Sequence, residues 1–430
     1  MLLPEPGLWV FKRAEHEFLR IAAMANPDWG ALAALTHEPA FAAGPGGEAG
    51  WQYVMNRANE HQLGGVVRWR FLDEHLDGVC PDWVREEARG HLTELDAGAD
   101  AWKIPASRII DRLNQSGIPW LLSGSLPCYA LYRGLEDWPR QMDDIDIYIP
   151  SSLYREAQGA LSEFGISAYS PLSPYLASPE IHPDLPSPFF LEVLTYPSAY
   201  DYSRDAIRGD AAMFRDIRTI SVGGVDLPVP APPAWVAMLA YRTYGAALEW
   251  EGNPLPLAAL ARIHNIAVCN PPFDWEGLVT LLQHFRAKTE RRIEATASAF
   301  RGAPASEEPT LLRRSCLSLI VLYVLQLADQ AYQFVPAEFW ARVETVFGKW
   351  SPPLILGLVG ADHGPSRGYA TWFEWVGPAD VETICFQHYG TTGAAARVAA
   401  GLWKPCKPDI KQLVDEPEWF PTSMGPIIAA

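Results

Sequence analysis

Two carboxylates spaced two apart, in a segment that alternates acidic and branched apolar residues, constrain this chain more than any other feature. The segment is Arg140-Gln-Met-Asp-Asp-Ile-Asp-Ile-Tyr-Ile-Pro150, and it follows Leu121-Leu-Ser-Gly-Ser-Leu-Pro-Cys-Tyr-Ala-Leu-Tyr-Arg133. The earlier stretch reads as a strand, a small-residue turn at Gly124 and Ser125, and a short helix. The later one reads as a loop and then a strand bearing Asp144 and Asp146. Alternate residues of a strand share a face. Two carboxylates side by side repel unless a cation lies between them, and hard oxygen ligands suit Mg²⁺ and the phosphates it carries. The expectation is a sheet with an anionic corner suited to a nucleotide.

Nucleotidyl transfer needs a defined set of parts. Two divalent ions stabilise the attacking and leaving oxygens of an in-line displacement at phosphorus. Backbone amides at a helix N-terminus receive the triphosphate, and a cation offsets transition-state charge. Gly124 permits close backbone approach and Ser125 offers a hydroxyl to a phosphate. Asp144 and Asp146 form the candidate metal pair, and Arg140 is close enough in sequence to reach a phosphate. Glu192 lies mid-strand in Phe-Leu-Glu-Val-Leu. A carboxylate there is costly to bury alone, and a metal shared with Asp144 and Asp146 would offset that cost. Singly, each feature has a bland reading: a turn, a solvated strand edge, a side chain facing water. Their order along the chain is what points to chemistry. Asp143 adjoins the pair, but alternation turns it away, so it reads as a loop or capping residue.

The 430 residues suit two to three domains. Asp and Glu outnumber Lys and Arg by 51 to 34, giving a formal charge of −17. Such a field repels DNA and RNA, which disfavours a nucleic-acid partner and favours a small molecule or a peptide. The six cysteines, at 80, 128, 269, 316, 385 and 406, form no C-x-x-C pair and no zinc spacing. They read as free thiols of a reducing compartment, which implies a cytoplasmic protein. No basic region followed by an apolar core opens the chain. The most apolar run, Cys316 to Leu327, is too short for a bilayer of about 30 Å and reads as a buried helix, so no membrane partner is expected.

Residues 1–100 look helical, with a break at Gly64-Gly65 inside the apolar pattern of Trp51 to Leu72. A helix over Ala101 to Gln115 carries Ile104, Ile109, Ile110 and Leu113 on one side and ends at Gly117. A strand follows from Ile118. Ser151 and Gly165 read as caps of a helix whose stripe is Leu153, Ala157, Ala160, Leu161 and Phe164. Further strands are expected over Ile166 to Leu172 and Phe189 to Tyr196, with Ser170 to Pro188 as a long Pro-rich loop between them. Thr219 to Val229 reads as a hairpin around Gly223-Gly224, and Pro228 to Pro233 as a stiff linker. Helices are expected from Ala234 to Thr345, with Arg242, Arg262 and His264 as positions where a phosphate or base could be met. Each of the three, taken alone, reads as surface charge or a satisfied polar contact. His182, in the long loop, is an acceptor-side candidate whose plainer reading is a loop histidine.

These motifs resemble the nucleotidyltransferases of the DNA polymerase β-like superfamily, and more closely the bacterial family of uncharacterised nucleotidyltransferases, found partly in natural-product and peptide-modification gene clusters. The resemblance rests on Gly117-Ile-Pro-Trp-Leu-Leu-Ser-Gly, on Arg140-Gln-Met-Asp-Asp-Ile-Asp and on Leu191-Glu-Val-Leu. Weaker matches are Glu60-His-Gln-Leu-Gly-Gly, Asp274-Trp-Glu and Val335-Pro336, so that it spans about residues 10–345. The chain departs from the pattern at Ser123 where a Lys is expected, at Leu194 for a His, near Arg242 for a helix His, and at Asn265 for an Asp.

The resemblance implies an α+β fold. A nucleotidyltransferase core with a small mixed sheet over residues 104–230 is preceded by a helical region over 1–103. A helical domain over 231–345 and an irregular extension over 346–430 follow it. It implies Mg²⁺- or Mn²⁺-dependent transfer of a nucleoside monophosphate from ATP or another triphosphate to a small-molecule or peptide acceptor, in keeping with natural-product biosynthesis. Asp144, Asp146 and Glu192 would be the catalytic metal ligands. Gly124, Ser125, Arg140 and Arg242 would bind the triphosphate. Two other readings stand beside this one: a non-catalytic module that binds a nucleotide or peptide, and a toxin-like enzyme that modifies transfer RNA.

Overall fold

Among the described residues helices come first and last, and the strands lie between them. The computed structural model describes residues 14–42, 45–60, 62–123, 126–132, 144–150, 153–164, 167–168, 175–177, 190–194, 211–222, 225–249, 257–299 and 317–347. Among these, helices α1 (Ala14–Ala22), α2 (Trp29–Leu35), α3 (Pro45–Glu60), α4 (Gly64–Phe71) and α5 (Asp82–Ser116) precede the first strand. The helical pattern breaks where the glycine pair begins: α3 stops at Glu60, Leu63 precedes α4, and Gly64 opens it. The helix read over Ala101 to Gln115 continues from the residues before it. The whole of Asp82–Ser116 is one helix, which stops at Gly117 in the left-handed conformation with φ 70°.

Short strands follow: β1 (Leu121–Ser123), then helix α6 (Leu126–Tyr129), β2 (Asp144–Tyr148), helix α7 (Tyr154–Leu161), β3 (Ser167–Ala168), β4 (Tyr175–Ala177) and β5 (Phe190–Leu194). They form one mixed sheet in the order β1-β2-β5-β4-β3. β1 is antiparallel to β2, β2 is parallel to β5, and β4 is antiparallel to both β5 and β3. β6 (Arg218–Val222) and β7 (Val225–Val229) make a separate antiparallel hairpin whose closest-spaced pair is Val222 and Val225, as the Gly-Gly turn requires.

Several expectations shift here. The strand after Gly117 is confined to three residues, because Pro119 cannot donate to a ladder and Trp120 is held by another contact. The N-cap residue of α7 is Leu153, not Ser151, which lies outside the described residues with Gly165. The Pro-rich stretch is not one loop, since Tyr-Leu-Ala between its prolines forms β4. Nor is Pro228 to Pro233 a linker. Pro228 sits in β7 opposite Thr219, and Pro232 opens helix α8 (Pro232–Glu249), where its missing amide and fixed φ suit a first helical residue.

Helices α9 (Leu257–Val268), α10 (Trp275–Ala299), α11 (Leu317–Tyr332) and α12 (Ala337–Phe347) follow. Asp274 caps α10 by accepting the Gly277 amide at 2.7 Å. Asp329 accepts the amides of Phe334 and Val335 through Oδ1 and the Trp340 indole through Oδ2, so one carboxylate closes α11 and fixes α12 against it. α8, α9 and α11 pack on one another, and α9 is buried on nearly every side, as an apolar helix must be. The apolar run around Cys316 is α11, a buried helix as read from sequence, and no described helix is long and apolar enough to cross a membrane. A single buried cluster extends from Phe18 and Trp51 through Leu121, Leu122 and Ile147 to Leu260, Val321 and Phe339. The fold is α+β, helix-rich with a small central sheet.

Candidate functional site

The sheet register brings the acidic positions together. Asp144 and Asp146 stand two apart on β2, and the parallel ladder pairs Asp146 with Glu192 and Asp144 with Phe190. Paired residues of neighbouring strands share a face, so positions 144, 146 and 192 lie on one side of the sheet. The antiparallel partner of Asp146 on β1 is Ser123, and that of Glu192 on β4 is Ala177. One row therefore crosses four strands in the order Ser123, Asp146, Glu192, Ala177. None of the five strands contains a Lys, Arg or His. The chain leaves β1 at Ser123 and enters β2 at Asp144 at one end of the sheet.

Burial of the intervening row holds this arrangement. Leu122 and Ile147, in register on the opposite face, are both 0% exposed. Leu121 and Tyr148, a register pair on the other face, are buried as well, as is Ile149, so the inner ends of β1 and β2 are packed on both faces. The entry to β1 is pinned by Trp120, whose indole donates to Asn114 Oδ1 at 3.0 Å across the Gly117 turn. Arg112 of α5 donates to the Ala160 carbonyl at 3.1 Å, tying α5 to α7.

Not every sequence-derived site position joins the row. Gly124, Ser125, Arg140 and His182 lie outside the described residues. Arg242 follows the buried Tyr241 in α8 and is described through its backbone. Arg262 is half-buried in α9. His264 faces the core: 5% exposed, it stacks on Tyr332 at 4.8 Å and meets Phe334 edge-on. Burial holds its pKa below the ordinary 6.5, with the Asn265 hydrogen bond opposing that shift and Arg20 adding to it. Its place is therefore structural. The same holds for Asn265, the position where the resemblance led us to expect an Asp. Fully buried, it accepts the Ala25 amide at 2.8 Å and donates to both the Ala23 carbonyl and the Tyr132 hydroxyl at 3.1 Å. An amide can both donate and accept here, which a carboxylate cannot.

Arg70 completes this polar hub, and no sequence pattern marks it. Only 1% exposed, it donates to the carbonyls of Ala22, the last residue of α1, and of Met24 and Ala25 just beyond it, and its guanidinium sits 4.3 Å from the Trp69 ring centre. Burial lowers its pKa to about 10, against raising contributions from Tyr132 and Asp73, and the group stays charged at neutral pH. Tyr132 donates to the Ala23 carbonyl and is the last described residue before the stretch that leads to β2. Arg20 extends the link by donating to the Ala331 carbonyl of α11 at 3.2 Å. Among residues with described side chains, no group of three His, Cys, Asp or Glu could hold a metal ion. Asp144, Asp146 and Glu192 are described through their backbone alone.

The order strand, Gly-Ser corner, acidic strand and Glu-bearing parallel strand can be compared with known families. The model of a family described as uncharacterised nucleotidyltransferase matches residues 47–291. The chain belongs to this family. The match opens in α3 and closes in α10, so it takes in both sheets and the polar hub around Tyr132 and Asn265. It is narrower at both ends than the span suggested by individual motifs. No curated protein and no solved structure matches the chain. What sequence reasoning missed in the nucleotidyltransferase region is β4, whose signal was three residues between prolines, and Arg70, which no periodic pattern marks as buried.

Proposed function

We propose that this member of the uncharacterised nucleotidyltransferase family transfers a nucleoside monophosphate from ATP or another triphosphate to a small-molecule or peptide acceptor. Asp144, Asp146 and Glu192 would hold Mg²⁺ or Mn²⁺, since three hard oxygen ligands on one sheet face suit those ions. Bound there, the ions would stabilise the attacking and leaving oxygens of the displacement. In that reaction the acceptor forms a bond to the α-phosphorus, and the bond from it to pyrophosphate breaks. Glu192, between Asp146 and Ala177 in the row, would take the acceptor's proton on a carboxylate oxygen. Gly124 and Ser125 would cradle the terminal phosphates, and Arg140 and Arg242 would offset their charge.

The observation that carries this reading is the parallel register of Asp146 with Glu192 in a sheet that supplies no cation of its own. Family membership supports it independently. The test uses the full chain with the four labelled ribonucleoside triphosphates and Mg²⁺. Wild type is expected to bind one of them and release pyrophosphate when acceptor is supplied. An Asp144→Ala/Asp146→Ala variant is expected to lose more than about a hundredfold of that release, beyond what loss of an outer-shell partner costs. Equal turnover by the double variant refutes the assignment.

A second reading, a non-catalytic nucleotide-binding module, is favoured by Ser123. It stands in register with Asp146 at the position where the resemblance led us to expect a Lys, so one cation is missing from the row itself. Tight nucleotide binding with no pyrophosphate release in the presence of any acceptor tested would select it.

A further inference from the structure

Between the sheet and the helices runs a segment that touches both. The chain passes from Ser123 of the row into α6 and on to Tyr132 before it reaches Asp144 and β2. Leu126 is three residues beyond Ser123, so the start of α6 lies within about 11 Å of the row whatever path the chain takes. α6 packs on β1 and on α9, with Cys128 buried. The far end of the segment is fastened by side chains. The Tyr132 hydroxyl donates to the Ala23 carbonyl at 3.0 Å and accepts from the Asn265 amide at 3.1 Å. Its ring packs with Val66 and Trp69 of α4 in a small cluster apart from the main core, 5.8 Å from the Arg70 guanidinium. Just past α9, the Cys269 thiol makes a weak contact with the neighbouring Leu131 carbonyl at 3.9 Å.

The hydroxyl is not needed to satisfy the carbonyl it meets. Asn265 also donates to the Ala23 carbonyl, so a phenyl ring at 132 would strand no carbonyl there and would leave one Asn265 N–H without its acceptor. The ring and its apolar contacts would stay. What the hydroxyl adds is a fixed place for one end of a short tether whose other end is in the row. From this we infer that Tyr132 is a positioning residue for the reaction at the row: bonded to α9 and to the turn after α1, it holds α6 and the Ser123 end of β1 in place. The inference rests on the reading of the row as the reacting centre. A misplacement of about 1 Å, introduced far from the reacting atoms, can cost about a hundredfold in rate.

The experiment uses the full chain as wild type, Tyr132→Phe, Asn265→Ala, their double variant and Val343→Ala, the last a truncation of a fully buried side chain in α12. Three quantities are measured on each: the denaturant midpoint, amide hydrogen exchange of residues 121–132, and pyrophosphate release with Mg²⁺ and labelled triphosphate. Tyr132→Phe is expected to speed exchange in that segment and to lower kcat by about tenfold or more. KM for the triphosphate should stay within about threefold, since the defect is in alignment and not in ground-state binding. The Tyr132→Phe midpoint is expected to fall less than that of Val343→Ala, which leaves a cavity yet should leave kcat unaltered. The double variant is expected to lose no more kcat than the greater single loss, because both substitutions break one contact. Unchanged exchange in Tyr132→Phe overturns the inference. So do an unchanged kcat, rate losses that track the midpoints across the variants, or losses that multiply in the double variant. If wild type releases no pyrophosphate with any acceptor, the catalytic reading fails on its own. The inference is then decided by exchange with Mg²⁺ and triphosphate added. Protection of 126–132 that wild type gains and Tyr132→Phe loses upholds it, and equal or absent protection overturns it.

Discussion

The helical hub and the sheet row contain polar groups that meet the protein interior in opposite ways. In the hub, every strongly polar group brings its own partners. Arg70 has three carbonyls and an aromatic face, Asn265 both donates and accepts, and His264 is held by an amide and two rings. In the row, three acidic positions share one face of strands that contain no basic residue. A buried polar group with partners stabilises a fold and specifies it. Gathered like charges do the reverse, and their natural complement is an external cation. This difference separates a structural centre from a candidate active site within one continuous core.

Substitutions should sort along the same division. The largest expected effect on stability is at Arg70. Replacing it with Ala leaves three carbonyls near the end of α1 without their donor and is expected to cost about 3 kcal/mol or more, read as a lower denaturant midpoint. Asp146→Asn, by contrast, is expected to keep or raise that midpoint while abolishing activity, because it removes repulsion in the absence of bound metal. A loss at Asp146 as large as that at Arg70 would erase the distinction between the two regions.

Asn265→Ala should follow, at about 1–3 kcal/mol, since the Ala25 amide loses its acceptor and the Ala23 carbonyl one of its donors. Gly117→Ala is expected to cost about 1 kcal/mol. Nothing lies within 4 Å of the added carbon, so the cost is that of the left-handed backbone alone.

The smallest effect should appear as a pH dependence at His264. Its folded pKa lies below the ordinary 6.5. As pH falls, the unfolded chain therefore binds the proton first, and stability is full above 6.5 and lost as pH falls through it. His264→Phe keeps the ring stack on Tyr332 and removes that share of the slope. An unchanged slope in unfolding midpoints taken on either side of that pH would contradict the neutral, buried assignment.

Much of the local structure was legible because its causes are local. The Gly117 stop, the hairpin around Gly223-Gly224, the strand of Phe-Leu-Glu-Val-Leu and the apolar helix near Cys316 each follow from backbone freedom or hydrophobic period. The errors share a cause as well. β4 carries too few residues to show alternation and draws its hydrogen bonds from Leu194, Val193 and Glu192, distant in sequence. Pro228 and Pro232 look like a linker in one dimension, yet a sheet partner and a helix start absorb them. For His264 the plainer of its two readings, a satisfied polar contact, is the one that holds, and sequence alone could not name the partner because polarity on a helix is visible there and the group that satisfies it is not.

By itself, the sequence determined which residue types could do chemistry: an Asp pair at strand spacing, a Glu inside an apolar run, a Gly-Ser turn, and an acidic surplus that disfavours nucleic acid. Those depend on covalent order and side-chain chemistry alone. Only the tertiary structure decided that Glu192 falls in register with Asp146 and that Ala177 flanks it on the far side. It alone decided that Arg70 and Asn265 belong to the scaffold. Strand order and register are set by which apolar faces can be buried together, and that sum runs over residues far apart in the chain.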